Sequence, residues 1–188
     1  ARGAMRVGAG AVTLGCPPAA LIENAAQLNA IMLRGIKDAD GLSAALEDDR
    51  INTLCLGPGL GVGDDSRALI KAALMSGRKA VLDADALTVI GRDAPLFSLL
   101  HDKCGRTPQA GEFARLFPDL AKRLDAPAAQ GPAYSKVDAT CAAAARAGCV
   151  VLFKGPDTVI ADAAGRCRIN AAVYERATPW LATAGSGD

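Results

Sequence analysis

The chain predicts an α/β domain built on a largely parallel sheet, and three observations carry that expectation. Strand and helix signals alternate through most of its 188 residues, the pattern that sets strands in parallel across intervening helices. Two apolar runs, residues 51–56 and 149–154, read as buried strands. The composition is 51% hydrophobic but only 4% aromatic, with abundant alanine, which suits a core of closely approached helices and strands.

Taken in order, residues 1–6 read as helix, 9–14 as a strand and 21–33 as a helix. The strand 51–56 ends on Gly57-Pro58-Gly59-Leu60-Gly61. A helix follows over 66–75, with Gly77 as its stop. Residues 79–83 form a short strand and 84–90 a helix. The stretch 102–106 is ambiguous, because a strand there would carry charges and a glycine. Thr107-Pro108 opens a turn before a helix over 112–117. Residues 125–134, with Pro127 and Pro132, read as an exposed loop before an alanine-rich helix over 135–147. Beyond the strand 149–154, residues 158–161 and 167–170 look like antiparallel partners around a turn at 162–165. Residues 1–188 read as one domain. With no initiator methionine at residue 1, and with Asp188 where a helix would open, the expectation is an internal fragment, incomplete at both ends.

Composition excludes several classes of function. The formal net charge is +1, which argues against a nucleic acid or an anionic membrane as partner. None of the six cysteines has C-x-x-C spacing, and His101 is the single histidine. A zinc site and a histidine-dependent triad are therefore poor readings, and reduced thiols in a cytoplasmic protein are the simplest account. No apolar run is long enough to span a bilayer.

Five clusters could carry chemistry. Gly57-Pro58-Gly59-Leu60-Gly61 follows a strand at its carboxyl end, where open α/β sheets bind ligands; the same residues could simply be a tight loop. Asp83 and Asp85 stand at another strand end, as a polar wall of a site, a helix cap or a secondary metal contact. Glu112, in the first turn of a helix, suits the helix dipole whatever its function. Lys154-Gly155-Pro156-Asp157-Thr158 offers an ammonium and a hydroxyl around a glycine, either a phosphate cradle or a β-turn. Gly185-Ser186-Gly187-Asp188 is a nest of small residues suited to an anion, followed by a carboxylate able to take a proton from an attacking hydroxyl.

In this order, GPGLG, LDADAL, TPxxGE, KGPDT and AGSGD resemble the ribokinase-like superfamily. More narrowly they resemble the ADP/ATP-dependent NAD(P)H-hydrate dehydratases, the carbohydrate-kinase-like domain of the YjeF group, over essentially the whole chain. The resemblance implies a ribokinase-like three-layer sandwich with a mostly parallel central sheet. It implies repair of the S-form of NAD(P)H hydrate, with ADP in bacterial members and ATP in eukaryotic ones as phosphoryl donor, AMP and phosphate as products, and Mg²⁺ as cofactor. Asp188 is then the base and a hydrate contact, and Gly185, Ser186 and Gly187 form the anion hole. Lys154, Gly155, Pro156, Asp157, Thr158 and Gly187 hold the nucleotide. Gly59, Gly61 and Gln109 meet the hydrate, and Glu112 is associated with the metal. Assembly into oligomers and fusion to an epimerase domain are common among similar proteins.

Three departures stand out, one being that Cys104-Gly105-Arg106 is less strand-like than the apolar run usual there. The family usually has histidine where this chain has Gln109, which can hydrogen-bond but cannot carry a positive charge. The early glycine-rich segment and the helix after Gly-Ser-Gly-Asp are absent, so the expectation for the fragment alone is inactivity. Two other readings stay open: a ribokinase-like kinase of a hydroxymethylpyrimidine, thiazole or sugar alcohol, and a degenerate, non-catalytic nucleotide-binding domain.

Overall fold

The computed structural model describes residues 1–127, 131–172 and 174–177. Among these residues eight strands lie in two sheets. A parallel pair is formed by β1 (Thr13–Cys16) and β2 (Met32–Gly35). The larger sheet contains β3 (Thr53–Leu56), β4 (Lys79–Leu82), β5 (Cys104–Arg106), β6 (Val150–Phe153), β7 (Asp157–Ala161) and β8 (Cys167–Ala171), side by side in chain order. Its first four strands run parallel, and β6, β7 and β8 alternate in direction. The nine α-helices among the described residues are α1 (Arg2–Arg6), α2 (Leu21–Gln27), α3 (Ala39–Ala45), α4 (Asp64–Met75), α5 (Ala84–Ile90), α6 (Ala94–Phe97), α7 (Ala110–Leu116), α8 (Pro118–Asp125) and α9 (Lys136–Ala147). Among the described residues no helix is long and apolar enough to cross a membrane.

The sheet strands alternate in burial, and this sorts the core. Ala80 and Leu82 of β4 are buried while Lys79 and Val81 are exposed, as the two-residue period of a strand requires. Across the buried face lie Ile70 and Leu74 of α4, Leu87 and Ile90 of α5, Phe113 and Leu116 of α7, and the alanines of α9. Each large apolar side chain fully buried in this way contributes roughly 1.5–3 kcal/mol. In α9 the inward positions are Ala139, Thr140, Ala143, Ala144 and Ala147, and such small residues bring the helix backbone close to the sheet. The described residues thus supply the sheet and one helical layer. On its other face Cys55 and Val81 remain exposed, with Leu152 and Ile160 half-buried.

Several element boundaries differ from the sequence expectation. The helix expected over 21–33 stops at Gln27, and residues 32–35 form β2 instead. Leu28 is already extended and Ala30 is left-handed (φ 56°), and the apolar run Ile31-Met32-Leu33 fits a strand as readily as a helix. The first strand begins at Thr13 rather than Ala9, where its pairing with Met32 starts. The ambiguous stretch 102–106 contains β5, inserted between β4 and β6. Three short helices went unread. α3 and α6 begin on Asp38 and Asp93, whose carboxylates accept from the N–H groups of Gly41 and Leu96; α8 begins on Pro118, at the position where proline suits a helix.

β5 carries an unusual core residue. Arg106 is fully buried, and no oxygen among the described residues accepts a hydrogen bond from its Nε, Nη1 or Nη2. Its guanidinium sits 5.3 Å from the Phe97 ring centre and 5.1 Å from that of Phe117. Burial pushes its pKa down, opposed by the neighbouring Cys149 sulfur.

Candidate functional site

The carboxyl ends of the four parallel strands β3, β4, β5 and β6 lie in a row, and each is tied to the next. After β3 the chain turns through Gly57–Gly61, closed by the Leu60 N–H donating to the Gly57 carbonyl (3.0 Å). Asp83, at the end of β4, donates its N–H to the Leu56 carbonyl (3.0 Å). Asp85 accepts from the Gly61 N–H through Oδ2 (2.8 Å). Thr107, at the end of β5, donates its N–H to the Leu82 carbonyl (3.2 Å), and Lys154, at the end of β6, donates its N–H to the Pro108 carbonyl (2.9 Å). The Lys154 ammonium then crosses back to Asp83, with Nζ 3.1 Å from Oδ1.

Gly57 permits this close approach. Its φ is +135°, and a Cβ there would lie 1.7 Å from the Asp83 carbonyl oxygen. Asp83 is followed by Ala84 at φ 46°, a left-handed conformation that costs a non-glycine residue about 1–2 kcal/mol. Gly59 and Gly61 are also left-handed, at φ +69° and +77°.

The two aspartates therefore pair with Lys154 and the Gly61 amide, where the sequence left a polar wall, a cap and a metal contact open. Among the described residues no three His, Cys, Asp or Glu side chains come together as a metal-ion cage. Glu112 accepts the Gln109 N–H through Oε2 (2.9 Å), closing the first turn of α7. Its role in capping is thereby visible, and α7 follows directly on the Thr107-Pro108 turn that accepts the Lys154 N–H.

The turn at Lys154–Thr158 is held from several sides. Thr158 Oγ1 donates to the Gly155 carbonyl (2.9 Å), and the Ala172 N–H donates to the Pro156 carbonyl (2.6 Å). The Lys136 ammonium takes the carbonyls of Lys154 (3.2 Å) and Asp157 (2.8 Å) and the Asp157 carboxylate (3.0 Å). Sequence reasoning passed over Lys136. The available signal was a cation at the first position of a helix, where the dipole disfavours it. Gly185, Ser186, Gly187 and Asp188, the expected anion hole and base, lie outside the described residues.

One groove, of about 470 Å³, is lined by residues of α3 and α4, among them Asp40, Ser43, Lys71 and Met75, and by none of the loops along this ledge of strand ends.

Comparison with known proteins adds to this geometry. A family model described as NAD(P)H-hydrate dehydratase matches residues 1–188. A bifunctional NAD(P)H-hydrate repair enzyme of Thermosynechococcus vestitus is 36% identical over 147 residues, covering 78% of this chain and 26% of that protein. One from Synechocystis sp. is 32% identical over 192 residues, covering 99% of this chain and 33% of that protein. The chain thus spans about a quarter to a third of these relatives. Among solved structures, a ribokinase-like superfamily protein of Enterococcus faecalis superposes with a TM-score of 0.70 at 23% identity, over 89% of this chain and 55% of that one. An ADP/ATP-dependent NAD(P)H-hydrate dehydratase of Bacillus subtilis, co-crystallised with ATP and Mg²⁺ and soaked with coenzyme A, also gives 0.70, at 22% identity, over 97% and 61%. The fold is ribokinase-like.

Proposed function

This chain belongs to the NAD(P)H-hydrate dehydratase family, and from that premise we propose that it forms the nucleotide-dependent repair site of its protein. The reaction is dehydration of the S-form of NAD(P)H hydrate to NAD(P)H, with ADP giving up its terminal phosphoryl group and AMP and phosphate released. The observation that carries this reading is the lacing of the GPGLG, LDADAL, TPxxGE and KGPDT loops along one row of strand ends. That is where a doubly wound sheet offers its ligand crevice.

Each residue has a task the chemistry needs. Lys154 holds one of its three ammonium donors on Asp83, which leaves two to meet a nucleotide phosphate. The turn through Gly155, Pro156, Asp157 and Thr158 supports the nucleotide. Gly59, Gly61 and Gln109 face the hydrate. Asp188 takes the proton from the ring hydroxyl as its oxygen attacks the terminal phosphorus of ADP and the bond to AMP breaks. Gly185, Ser186 and Gly187 offset the charge spread over the transferred group. Loss of phosphate from the ring carbon and of a proton from its neighbour then restores the dihydronicotinamide.

A Mg²⁺ ion carried by the nucleotide fits this donor set, because Mg²⁺ keeps waters and phosphate oxygens and asks for only one or two carboxylates. Glu112, with one oxygen committed to its cap, would hold such an ion through water, and the ion would supply charge neutralisation. ADP, the donor that the sequence resemblance implies for bacterial members, is the one proposed here.

The test is recovery of NADH from its S-hydrate with ADP, measured on the full-length protein and on Asp188→Asn. The variant should lose roughly 10²–10⁴-fold in kcat while still binding ADP. A stable phosphorylated alcohol from another acceptor, with no NADH recovered, would replace this reading with that of a small-molecule kinase.

A further inference from the structure

We propose that Lys136 is the positioning residue of the nucleotide-holding turn, a role that rests on the repair-site reading above. Lys136 is the first residue of α9, directly after its cap Ser135. An ammonium there opposes the helix dipole, so a site that keeps one must return comparable favourable contacts. It does so three times. Nζ lies within hydrogen-bonding distance of the carbonyl oxygens of Lys154 and Asp157 and of the Asp157 carboxylate. An ammonium has three donors, and all three are thus spent on the turn. Lys136 therefore does not serve as a phosphate ligand, and Lys154, whose ammonium gives Asp83 one of its three donors, is the cation of this turn with donors left for a phosphate.

The surroundings hold the ammonium in place. Nζ is 4.5 Å from the centre of the Phe153 ring, and that ring is stacked on Phe113 at 4.2 Å, the residue after Glu112. The lysine side chain is only 16% exposed. Gly155 leaves the space it occupies, since a Cβ at that position would lie 2.6 Å from Nζ. With Thr158 on the Gly155 carbonyl and Ala172 on the Pro156 carbonyl, all four carbonyls from Lys154 to Asp157 have donors. Lys136 supplies two of the four, from a helix rather than from the turn itself. Removing it frees the first and last peptide of the turn together, and so changes where the Lys154 backbone places its side chain.

The test compares Lys136→Met and Lys136→Arg with wild type in the full-length protein, by calorimetric binding of ADP and by steady-state kinetics. Lys136→Met is expected to raise the Kd and KM for ADP about ten-fold, the loss of one to two net hydrogen bonds' worth of turn order. Saturating kcat should stay within about two-fold and KM for the hydrate should not move, because neither depends on this contact. Lys136→Arg, which keeps charge and donors, should recover most of the ADP affinity. Unchanged ADP affinity in a folded Lys136→Met protein overturns the proposal, as does a parallel loss toward both substrates that arginine does not repair. Should Lys136→Met fail to fold, Lys136→Gln carries the same comparison. The two readings separate cleanly. If wild type binds ADP but restores no NADH, the repair function falls while the binding ratio still decides the role of Lys136. If wild type binds no adenine nucleotide, the positioning role falls.

Discussion

Gly57 and Gly59 sit two residues apart in one loop, both with positive φ, yet their side-chain space differs completely. A methyl group at Gly57 would meet the Asp83 backbone carbonyl at 1.7 Å, whereas one at Gly59 would meet nothing within 4 Å. Backbone cannot swing aside as a flexible side chain can. Gly57→Ala is therefore expected to cost more than about 4 kcal/mol, and Gly59→Ala only the left-handed penalty of about 1–2 kcal/mol. Denaturant midpoints of the two variants measure the difference. Arg106 presents the opposite case, a residue whose removal should help. Its buried guanidinium has aromatic faces and a sulfur for company in place of an anion. Replacement of such a charge by an apolar side chain of similar volume is often stabilising by about 1–4 kcal/mol. Arg106→Met should accordingly unfold at higher urea; a lower midpoint would show that the two phenylalanine contacts outweigh desolvation.

Between elements, one joint open to titration binds α8 to α9. Arg146 donates to both Asp119 oxygens, at 2.6 and 2.7 Å, and this hydrogen bonding holds the Asp119 pKa down from 3.8 to about 2. A depressed folded-state pKa means stability that is fully present above the unfolded value and lost as pH falls through the folded one. The window is therefore from just above 3.8 down to about 2. Both side chains are largely solvated, so the contribution is modest. Melting temperature should fall with pH through this window, and Asp119→Asn should flatten part of that fall while leaving the slope near neutrality alone. The same helices show what could be read beforehand. α9 was legible because Ser135, Asp138 and a long alanine-rich stretch agree with one another. α8 was not, because Pro118 at its start resembles the prolines of the loop beyond it. β2 was lost inside an expected helix, since Ile31-Met32-Leu33 is apolar without a decisive period.

At the scale of the whole molecule, the larger sheet joins two kinds of connection. β7 and β8 meet across the short turn that Asp162 organises by accepting from the N–H groups of Ala164 and Arg166. β3, β4, β5 and β6 pair only after chain crossovers that contain helices. Local pairing is faster than non-local pairing because less chain entropy is lost before contacts form. In pulse-labelled hydrogen exchange during refolding, amides of Asp157–Ala161 and Cys167–Ala171 should be protected before those of Thr53–Leu56. Simultaneous protection would remove the distinction. The motifs that compose the ledge were legible for a related reason: glycines, prolines and charges at strand ends stand out against apolar runs. Their mutual bonds were not, because Asp83, Lys136 and Lys154 are distant in sequence and only the sheet order brings them together.

The contact between Lys154 and Asp83 joins positions 71 apart, across the strand that separates β4 from β6. In the finished sheet it spans β5, which lies between its two neighbours. The pair therefore acts as a clasp over the parallel half of the sheet, tying the loop after β6 to the loop after β4 across the strand between them.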